Sequence, residues 1–526
     1  MVQTDNRLFT DKQNLTCPLK YCNNKILFVL FVFTLNNIAL AQTKKINIVN
    51  ADELSFDKTK VDAQKLIGHV ILEHSGAIMY CDSAYLYTKI NSFTAYSKVK
   101  ILQGDSLEVF GDTLFYKGDE KTANIIGNVI FKEKDLTLNS SNIFYQLSTN
   151  IASYNNGATI VSSANNNTLS SKSGRYNSNI ETLFFKDSVI LSNPNYTMKA
   201  DTLVYRVSDE VAIFHGNSKI ISKETEIKCS NGWYDTKNEK SSFWNKAIIK
   251  SEREILSGDS IFYDKENGFG EAFGNIKLFD SLNNMIIYGG YGYYNELKDS
   301  TYIDNKPILQ QRYDDDTLYI SADKFINITD SNNLHFLRAY NNVKFYKQGL
   351  VGICDSISYV QKDSTMKLFN NPILWNDESQ ISGEYMELKL WEGKLKQLNV
   401  NVNSFIISKK DSINFNQISG NDLIGIFTNN SLDTIKISGN INTIYYISNS
   451  ESEPASDFNK SSSEKLIITL DSNKIKQLQY IDQIKSSMSP IENSKIENRK
   501  LDAFNWQISK KPEIEFFIRR KAKKEL

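Results

Sequence analysis

A short motif recurs along this chain at intervals close to 30 residues. It has the form Asp-Xaa-Leu-Xaa-Tyr and is clearest at 112–116, so we call it the first motif. Asp52, Asp82 and Asp112 begin successive copies 30 residues apart, and a later copy begins at Asp201. A fixed period between 20 and 50 residues is the signature of stacked repeats, in which each unit packs mainly on its neighbours. The period therefore predicts one continuous repeat array in place of several independent domains.

A second motif lies midway between copies of the first. It has the form Gly-Asn-Val-Ile-Phe at 127–131, with further copies starting at Gly68, Gly216 and Gly274. Both motifs are rich in β-branched and aromatic residues, and Gly, Asn or Asp bounds them, which is typical of strands. Between 46 and 375 we find no sustained helical spacing of apolar residues. The sequence therefore predicts an all-β fold.

Side chains alternate between the two faces of a strand, so Leu114 and Tyr116 point to one side and Thr113 and Phe115 to the other. Stacking the repeats aligns the inward residues into apolar files. One interpretation is a packed core between two sheets, and the other is a groove that holds lipid chains. The candidate groove residues are Leu54, Phe56, Val70, Leu86, Val99, Leu114, Tyr116, Val129, Phe131, Ile143, Tyr145, Leu203, Tyr205, Ile261, Tyr263 and Ile276.

Composition and motifs argue against several other functions. Lys+Arg and Asp+Glu are equal at 61 each, so no global positive field would recruit nucleic acid. The four histidines show no metal-ligand spacing, and His69 occupies a turn position of the second motif. The recurrent Asp is better explained as a short acceptor that holds a turn than as a catalytic acid. We therefore expect no enzyme activity, no cofactor and no metal.

The N-terminal region suggests export. Residues 26–35 form an apolar run that follows Lys25, and Ala39-Leu40-Ala41 has the small-Xaa-small pattern of a cleavage site. We expect a signal peptide at 1–41, with an uncleaved membrane anchor as the alternative. The remaining cysteines, Cys81, Cys229 and Cys354, are too far apart in sequence for a disulfide framework. A single disulfide between two of them is the alternative. We expect them to be small buried residues.

The repeat changes character along the chain. It is regular over 46–375, and divergent repeats of the same type follow over 376–447. Residues 448–465 are polar and Ser-rich, which favours a mobile loop. Residues 466–526 are expected to hold the last strands and a solvated basic tail.

Residues 46 to about 375 resemble the OstA-like family, the β-jellyroll repeat of periplasmic lipopolysaccharide-transport proteins such as LptA and the N-terminal part of LptD. The resemblance rests on repeated pairs of motifs, for example 127–131 followed by 141–145. The long form, with its polar insertion and the closing sequence 501–506, is similar to the extended versions found in Bacteroidota. The resemblance implies an elongated β-jellyroll of about 30 residues per unit, with two facing antiparallel sheets.

The resemblance also implies a function. It predicts a periplasmic carrier or bridge that shields the acyl chains of lipopolysaccharide during transport to the outer membrane, with association of the protein with the outer membrane as a second option for its location. Its expected partners are lipopolysaccharide and other jellyroll transport proteins, including the outer-membrane translocon, joined through strand edges. The alternatives are a transmembrane β-barrel and a structural or adhesive β-solenoid at the cell surface.

Overall fold

The structure is a computed structural model, and it describes residues 44–56, 62–313, 316–329, 335–360, 364–376, 378–391, 394–428, 431–448, 454–471 and 474–525. The expected signal peptide at 1–41 lies outside the described residues. The chain divides into Met1–Lys45 and Ile46–Leu526, and the fold below is that of the second unit.

All strands of the described residues join in one antiparallel sheet of 38 strands. The N-terminal half of the sheet consists of β1 (Asn47–Asn50), β2 (Glu53–Phe56), β3 (Gln64–His74), β4 (Ala77–Tyr87), β5 (Ser92–Gln103), β6 (Leu107–Lys117), β7 (Thr122–Glu133), β8 (Leu136–Gln146), β9 (Ile151–Tyr154), β10 (Ala158–Ser162), β11 (Thr168–Ser171), β12 (Ser173–Asn177), β13 (Thr182–Ser192), β14 (Tyr196–Arg206), β15 (Val211–Ser222), β16 (Glu226–Asp235), β17 (Lys240–Lys250), β18 (Glu254–Asp264), β19 (Phe269–Asp280) and β20 (Met285–Asn295).

The C-terminal half continues the same antiparallel order. It consists of β21 (Ser300–Asp304), β22 (Ile308–Arg312), β23 (Thr317–Ser321), β24 (Lys324–Thr329), β25 (His335–Lys347), β26 (Leu350–Val360), β27 (Thr365–Phe369), β28 (Ile373–Asn376), β29 (Ser379–Ser382), β30 (Tyr385–Trp391), β31 (Lys394–Asn401), β32 (Ser404–Lys409), β33 (Phe415–Gly420), β34 (Asp422–Thr428), β35 (Ser431–Ile447), β36 (Asp457–Asp471), β37 (Lys474–Ile481) and β38 (Lys485–Pro490).

Helices are few in the described residues. The α-helix α1 (Ile514–Glu525) ends the chain. Short 3-10 turns occur at Thr88–Ile90, Ser178–Ile180, Ile491–Asn493, Ile496–Arg499 and Ile508–Lys510. The all-β prediction is therefore confirmed.

Most motifs predicted as separate short strands are halves of longer ones, although the copy at Asp52 forms the short strand β2. The first motif at 112–116 lies in β6, and the second motif at 127–131 lies in β7. A two-residue corner interrupts alternate strands at the start of the second motif, and there the backbone takes positive φ values, as at Gly127 (82°) and Asn128 (44°). Only Gly, Asn and a few other residues adopt this left-handed conformation readily, which explains the Gly-Asn pair of the motif. Each 30-residue unit thus supplies two bent strands.

The corners fold the sheet along its length. Tyr116 aligns across β5 and β4 with Gln64 of β3, yet its hydroxyl lies 2.7 Å from Nδ1 of His74. In a flat sheet the ten residues from Gln64 to His74 would separate the two side chains by about 33 Å. The strand portions that carry the first motif, called half-sheet A, therefore face those that carry the second motif, called half-sheet B.

The apolar core lies between the two half-sheets. One buried cluster runs from Ile46 to Ile276 and a second from Ile287 to Ile468. Strand alternation places the same inward files in successive repeats, so each repeat buries its apolar face on the next.

Two predictions for the C-terminal region differ from the structure. Residues 457–465 of the expected loop belong to β36 and pair with β35 and β38. The basic tail is not a solvated end, because it contains α1 with Phe517 fully buried. In both places, backbone pairing or docking on the sheet overrides a polar local composition.

Candidate functional site: the interior between the half-sheets

The candidate groove residues line the interior in register. Leu54 aligns through β3, β4 and β5 with Leu114, and Leu114 aligns through β7 with Ile143. The candidates with almost fully buried side chains are Val70, Leu86, Val99, Leu114, Tyr116, Val129, Phe131, Ile143, Tyr145, Leu203, Tyr205, Ile261 and Ile276. Tyr263 is half-buried. Leu54 and Phe56 are 56 % and 49 % exposed, because β2 lies at the first edge of the sheet.

The sequence motifs identified only part of this lining. Alternate strands contribute inward residues that belong to neither motif, such as Leu66, Ile101, Val109 and Ile125, each with no exposed surface. Small residues such as Ala123 complete the file beside the large rings. The period-two alternation of these strands was the signal that could have revealed them.

Inward side chains of the two half-sheets pack directly on each other. Tyr116 contacts His74 with ring centroids 5.6 Å apart, and Phe131 contacts Tyr145 at 5.7 Å and Tyr176 at 6.3 Å. Phe131 belongs to half-sheet B, whereas Tyr145 and Tyr176 belong to half-sheet A. The side chains thus occupy the space between the half-sheets in this conformation, and a lipid chain would enter only if the half-sheets moved apart.

The edge of the fold opposite the corners, called the mouth, is bridged by polar contacts. Tyr116 of half-sheet A meets His74 of half-sheet B, and Tyr145 donates a hydrogen bond of 2.9 Å to Oε1 of Gln103. Asn167 donates one of 3.2 Å to the hydroxyl of Tyr205. These partners lie 38 to 42 residues apart, so the same type of bridge recurs along the array.

A buried carboxylate joins the same edge. Glu133 of half-sheet B accepts a hydrogen bond from the hydroxyl of Ser178, and its other oxygen has no hydrogen-bond partner among the described residues. Burial raises the pKa of Tyr145 and Tyr176, and the nearby Glu133 charge adds to the effect. Burial also raises the pKa of Tyr116. These phenols therefore stay neutral at physiological pH and keep the O–H proton that a hydrogen-bond donor needs.

The recurrent Asp of the first motif holds the corner of the neighbouring strand. Asp112 accepts a hydrogen bond of 2.9 Å from Nδ2 of Asn128, and Asp201 accepts one of 2.9 Å from the backbone N–H of Asn217. Asp52 lies 2.8 Å from Nδ1 of His69, which takes the Asn position with φ of 41°. The interpretation of this Asp as a structural acceptor is confirmed.

Comparison with protein families identifies the N-terminal part of the array. Residues 43–201 match the model of a family described as OstA-like protein. This region is OstA-like. The family is one of periplasmic transport proteins. The comparison with curated proteins finds no match for the chain.

The OstA-like region begins at an edge of the sheet. Among the described residues, β1 and β2 pair with β3 on one side only. Leu54 and Phe56 share the inward face of Leu66 and Gln64, their partners on β3, so this end of the interior presents apolar side chains to solvent. An edge of this kind can accept a further strand.

Beyond the OstA-like region, the chain returns over the outer face of half-sheet B. Residues 491–525, called the C-terminal segment, pass over β33, β29 and β23 in turn. Gln417 donates to the carbonyl of Arg499 and accepts from the N–H of Leu501, at 2.9 Å each. Gln380 makes the same pair of bonds, at 2.8 Å each, with Asn505 and Gln507. Phe517 of α1 then packs on Tyr319 and Tyr346.

The described residues contain no group of three or more metal-ligating side chains, and none of their helices is long and apolar enough to cross a membrane. The cysteines Cys81, Cys229 and Cys354 are free and buried, as expected. Burial raises the pKa of Cys81 to about 11 and that of Cys229 to about 12, so both thiols stay protonated at neutral pH.

Proposed function

We propose that this protein is a periplasmic carrier that shields the acyl chains of lipopolysaccharide between half-sheets A and B on the way to the outer membrane. The observation that carries the proposal is the buried apolar cluster from Ile46 to Ile276, which begins in the OstA-like region and stays in register over successive repeats. Each CH₂ group kept from water is worth about 0.8 kcal/mol, so a lipid with several chains cannot cross an aqueous gap unaided.

The uniform lining suits movement along the interior. Leu114, Ile125 and Ile143 occupy equivalent positions on β6, β7 and β8, and residues of similar size and polarity continue beyond them. A lipid chain would lose and regain similar contacts at each step, so no single position would hold it strongly. Polar bridges at the mouth are the contacts that must break for a chain to enter from the side.

The edge strands supply the connection to partners. In the described part of the chain, β1 and β2 form the first edge of the sheet beside β3, and pairing of this edge with a strand of another jellyroll protein would align the two interiors. We propose such pairing with other transport proteins, including the outer-membrane translocon.

Photo-crosslinking in living cells tests the proposal. A photoreactive amino acid at Leu54 or Phe56 would lie in the apolar end of the interior, whereas at the exposed Ser55 it would face outward on the same strand. We expect lipopolysaccharide to be captured at positions 54 and 56 and not at 55. Depletion of the protein should also cause newly made lipopolysaccharide to accumulate before it reaches the outer membrane. Absence of capture at 54, 56 and 114 in a folded protein would overturn the proposal.

A further inference from the structure

A cleft on the outer face of half-sheet A is separate from the apolar interior. It has a volume of about 520 Å³ and lies between the rings of Phe115 and Phe144. These rings are 44 % and 42 % exposed, in contrast to the adjacent inward residues Tyr116 and Tyr145, which are 1 % exposed. The first motif, with its alternating inward and outward positions, therefore places two aromatic rings on the surface at the mouth-side end of consecutive repeats.

The two rings have a defined spacing. Phe115 pairs with Asn124 of β7, and Asn124 pairs with Phe144 of β8, so the rings are separated by two strand spacings, or about 10 Å. Sheet pairing holds both backbones, so this spacing is built into the fold. It matches roughly the length of a disaccharide.

Between the rings, the cleft offers amide groups. Asn142 donates a hydrogen bond of 3.1 Å from Nδ2 to Oδ1 of Asn124. This bond fixes both amides and leaves Nδ2 of Asn124 and Oδ1 of Asn142 directed to other partners. The exposed side chains of Asn155 and Asn156, in the turn between β9 and β10, form another wall. Amides supply both donors and acceptors, which suits the hydroxyl groups of a sugar.

The charges lining the cleft cancel. Lys117 and Glu120 form an ion pair with an N–O distance of 3.1 Å at its end, and both are largely exposed. A cleft of this kind has no excess of cations to attract a phosphate or carboxylate. Its chemistry combines aromatic faces, which pack on the C–H faces of pyranose rings, with neutral hydrogen-bonding groups.

We propose that this cleft binds an oligosaccharide through its neutral sugar rings, with one pyranose ring on Phe115 and a second on Phe144. Since the cleft lies at the mouth-side end of half-sheet A, the saccharide part of a glycolipid whose acyl chains occupy the interior would reach it by turning over the rim of the mouth. This identification of the oligosaccharide as part of the cargo rests on the proposed function.

The test is a binding titration of the folded chain, without lipid, against two probes. One is the lipid-free oligosaccharide released from lipopolysaccharide and then dephosphorylated, and the other is the same oligosaccharide with its phosphates. We expect the dephosphorylated probe to bind at least as tightly as the phosphorylated one. In the double variant Phe115→Ala/Phe144→Ala, its affinity should fall at least tenfold. Phe144→Trp, which keeps an aromatic face, should retain binding.

Phe273→Ala is the matched control, because this ring is 43 % exposed and lies outside the cleft. Unchanged affinity in the Phe115→Ala/Phe144→Ala variant, equal loss in the control, a requirement for the phosphates, or no binding of either probe to the unmodified chain would each overturn the proposal. Crosslinking at Leu54 distinguishes a failure of the oligosaccharide proposal from a failure of the proposed function. Lipid capture there with no effect at Phe115 and Phe144 would remove the oligosaccharide site alone.

Discussion

The hydroxyl of Tyr116 lies 2.7 Å from Nδ1 of His74, and the two residues belong to opposite half-sheets. Both side chains are nearly fully buried, and their rings meet edge to face with centroids 5.6 Å apart. The backbone of each strand joins the two half-sheets at the corners, where the pairing register shifts. Side-chain bridges of this type therefore resist separation at the opposite edge, the mouth.

Removing the Tyr116 hydroxyl should loosen the mouth without emptying the core. We expect Tyr116→Phe to lower the free energy of unfolding by about 1 kcal/mol, because a buried hydrogen bond is lost while the ring keeps its contact with Phe93. Urea denaturation measures the loss, and faster hydrogen exchange in β3 and β6 would locate it. Tyr85→Phe, a half-buried outward position on β4, is the control. Equal exchange rates in Tyr116→Phe and the unmodified protein would contradict a role for the bridge.

The buried phenols predict sensitivity to alkali. Burial raises the pKa of Tyr116, Tyr145 and Tyr176 in the folded state, whereas an unfolded tyrosine titrates near 10. Above about pH 10 the unfolded chain therefore binds fewer protons than the folded chain, so stability falls as pH rises. We expect full stability from these groups below pH 10 and a progressive loss above it. Urea midpoints measured from pH 8 to 11.5 should show this decline, and replacing the three tyrosines by Phe should flatten it. An unchanged slope would show that other groups control the alkaline transition.

The corner predicts a non-additive pair of substitutions. Gly127 has φ of +82°, and a Cβ atom added there would overlap the carboxylate of Asp112. We expect Gly127→Ala to destabilise the protein by about 1–2 kcal/mol from the left-handed backbone alone, and by more from the overlap. In the Asp112→Ala background the added cost of Gly127→Ala should therefore be smaller. A double-mutant cycle in urea measures the difference.

Gly104→Ala is the control for that cycle. Gly104 also has a positive φ, +58°, but an added Cβ would meet nothing within 4 Å. Gly104→Ala should lower the free energy of unfolding by the backbone contribution only, and this loss should be the same in the Asp112→Ala background. Additive effects of Gly127→Ala and Asp112→Ala would mean that the Asp112 side chain does not hold the corner.

Much of the fold could be predicted from local sequence because the same short pattern recurs in successive repeats. The Asp of the first motif and the Gly-Asn of the second stand in contact at successive corners, as at Asp112 and Asn128, and one short pattern encodes both strand and bend. The inward files followed from alternation. By contrast, the sequence does not show that each strand continues past its motif and around a corner, because a left-handed residue pair inside a continuous strand resembles a turn between two strands.

The contacts that the sequence did not reveal connect distant parts of the chain. The mouth bridges pair Tyr116 with His74, 42 residues away, and no local pattern marks His74 as its partner. Likewise, the C-terminal segment docks through Gln380, which lies 125 residues before Asn505. A polar residue that points outward from a strand is expected to be exposed to solvent unless the element that covers it is known. The burial of Gln380 and Gln417 could therefore not be predicted from the sequence.

These two glutamines predict how the C-terminal segment can be released. Each is 1 % exposed and uses both ends of its amide to bind the segment backbone, so the interaction depends on the glutamine side chain and not on the segment sequence. Gln380→Met/Gln417→Met keeps side-chain volume but leaves buried backbone groups of the segment without partners, at a cost of about 1–3 kcal/mol for each group. We expect trypsin to cleave after Lys510 at least tenfold faster in this variant, while the sheet stays intact. Gln397→Met, which removes a hydrogen bond to Asn399 in half-sheet A, should leave the cleavage rate unchanged. Equal protection of Lys510 in all three proteins would show that Phe517 and its partners Tyr319 and Tyr346 hold the segment without the glutamines.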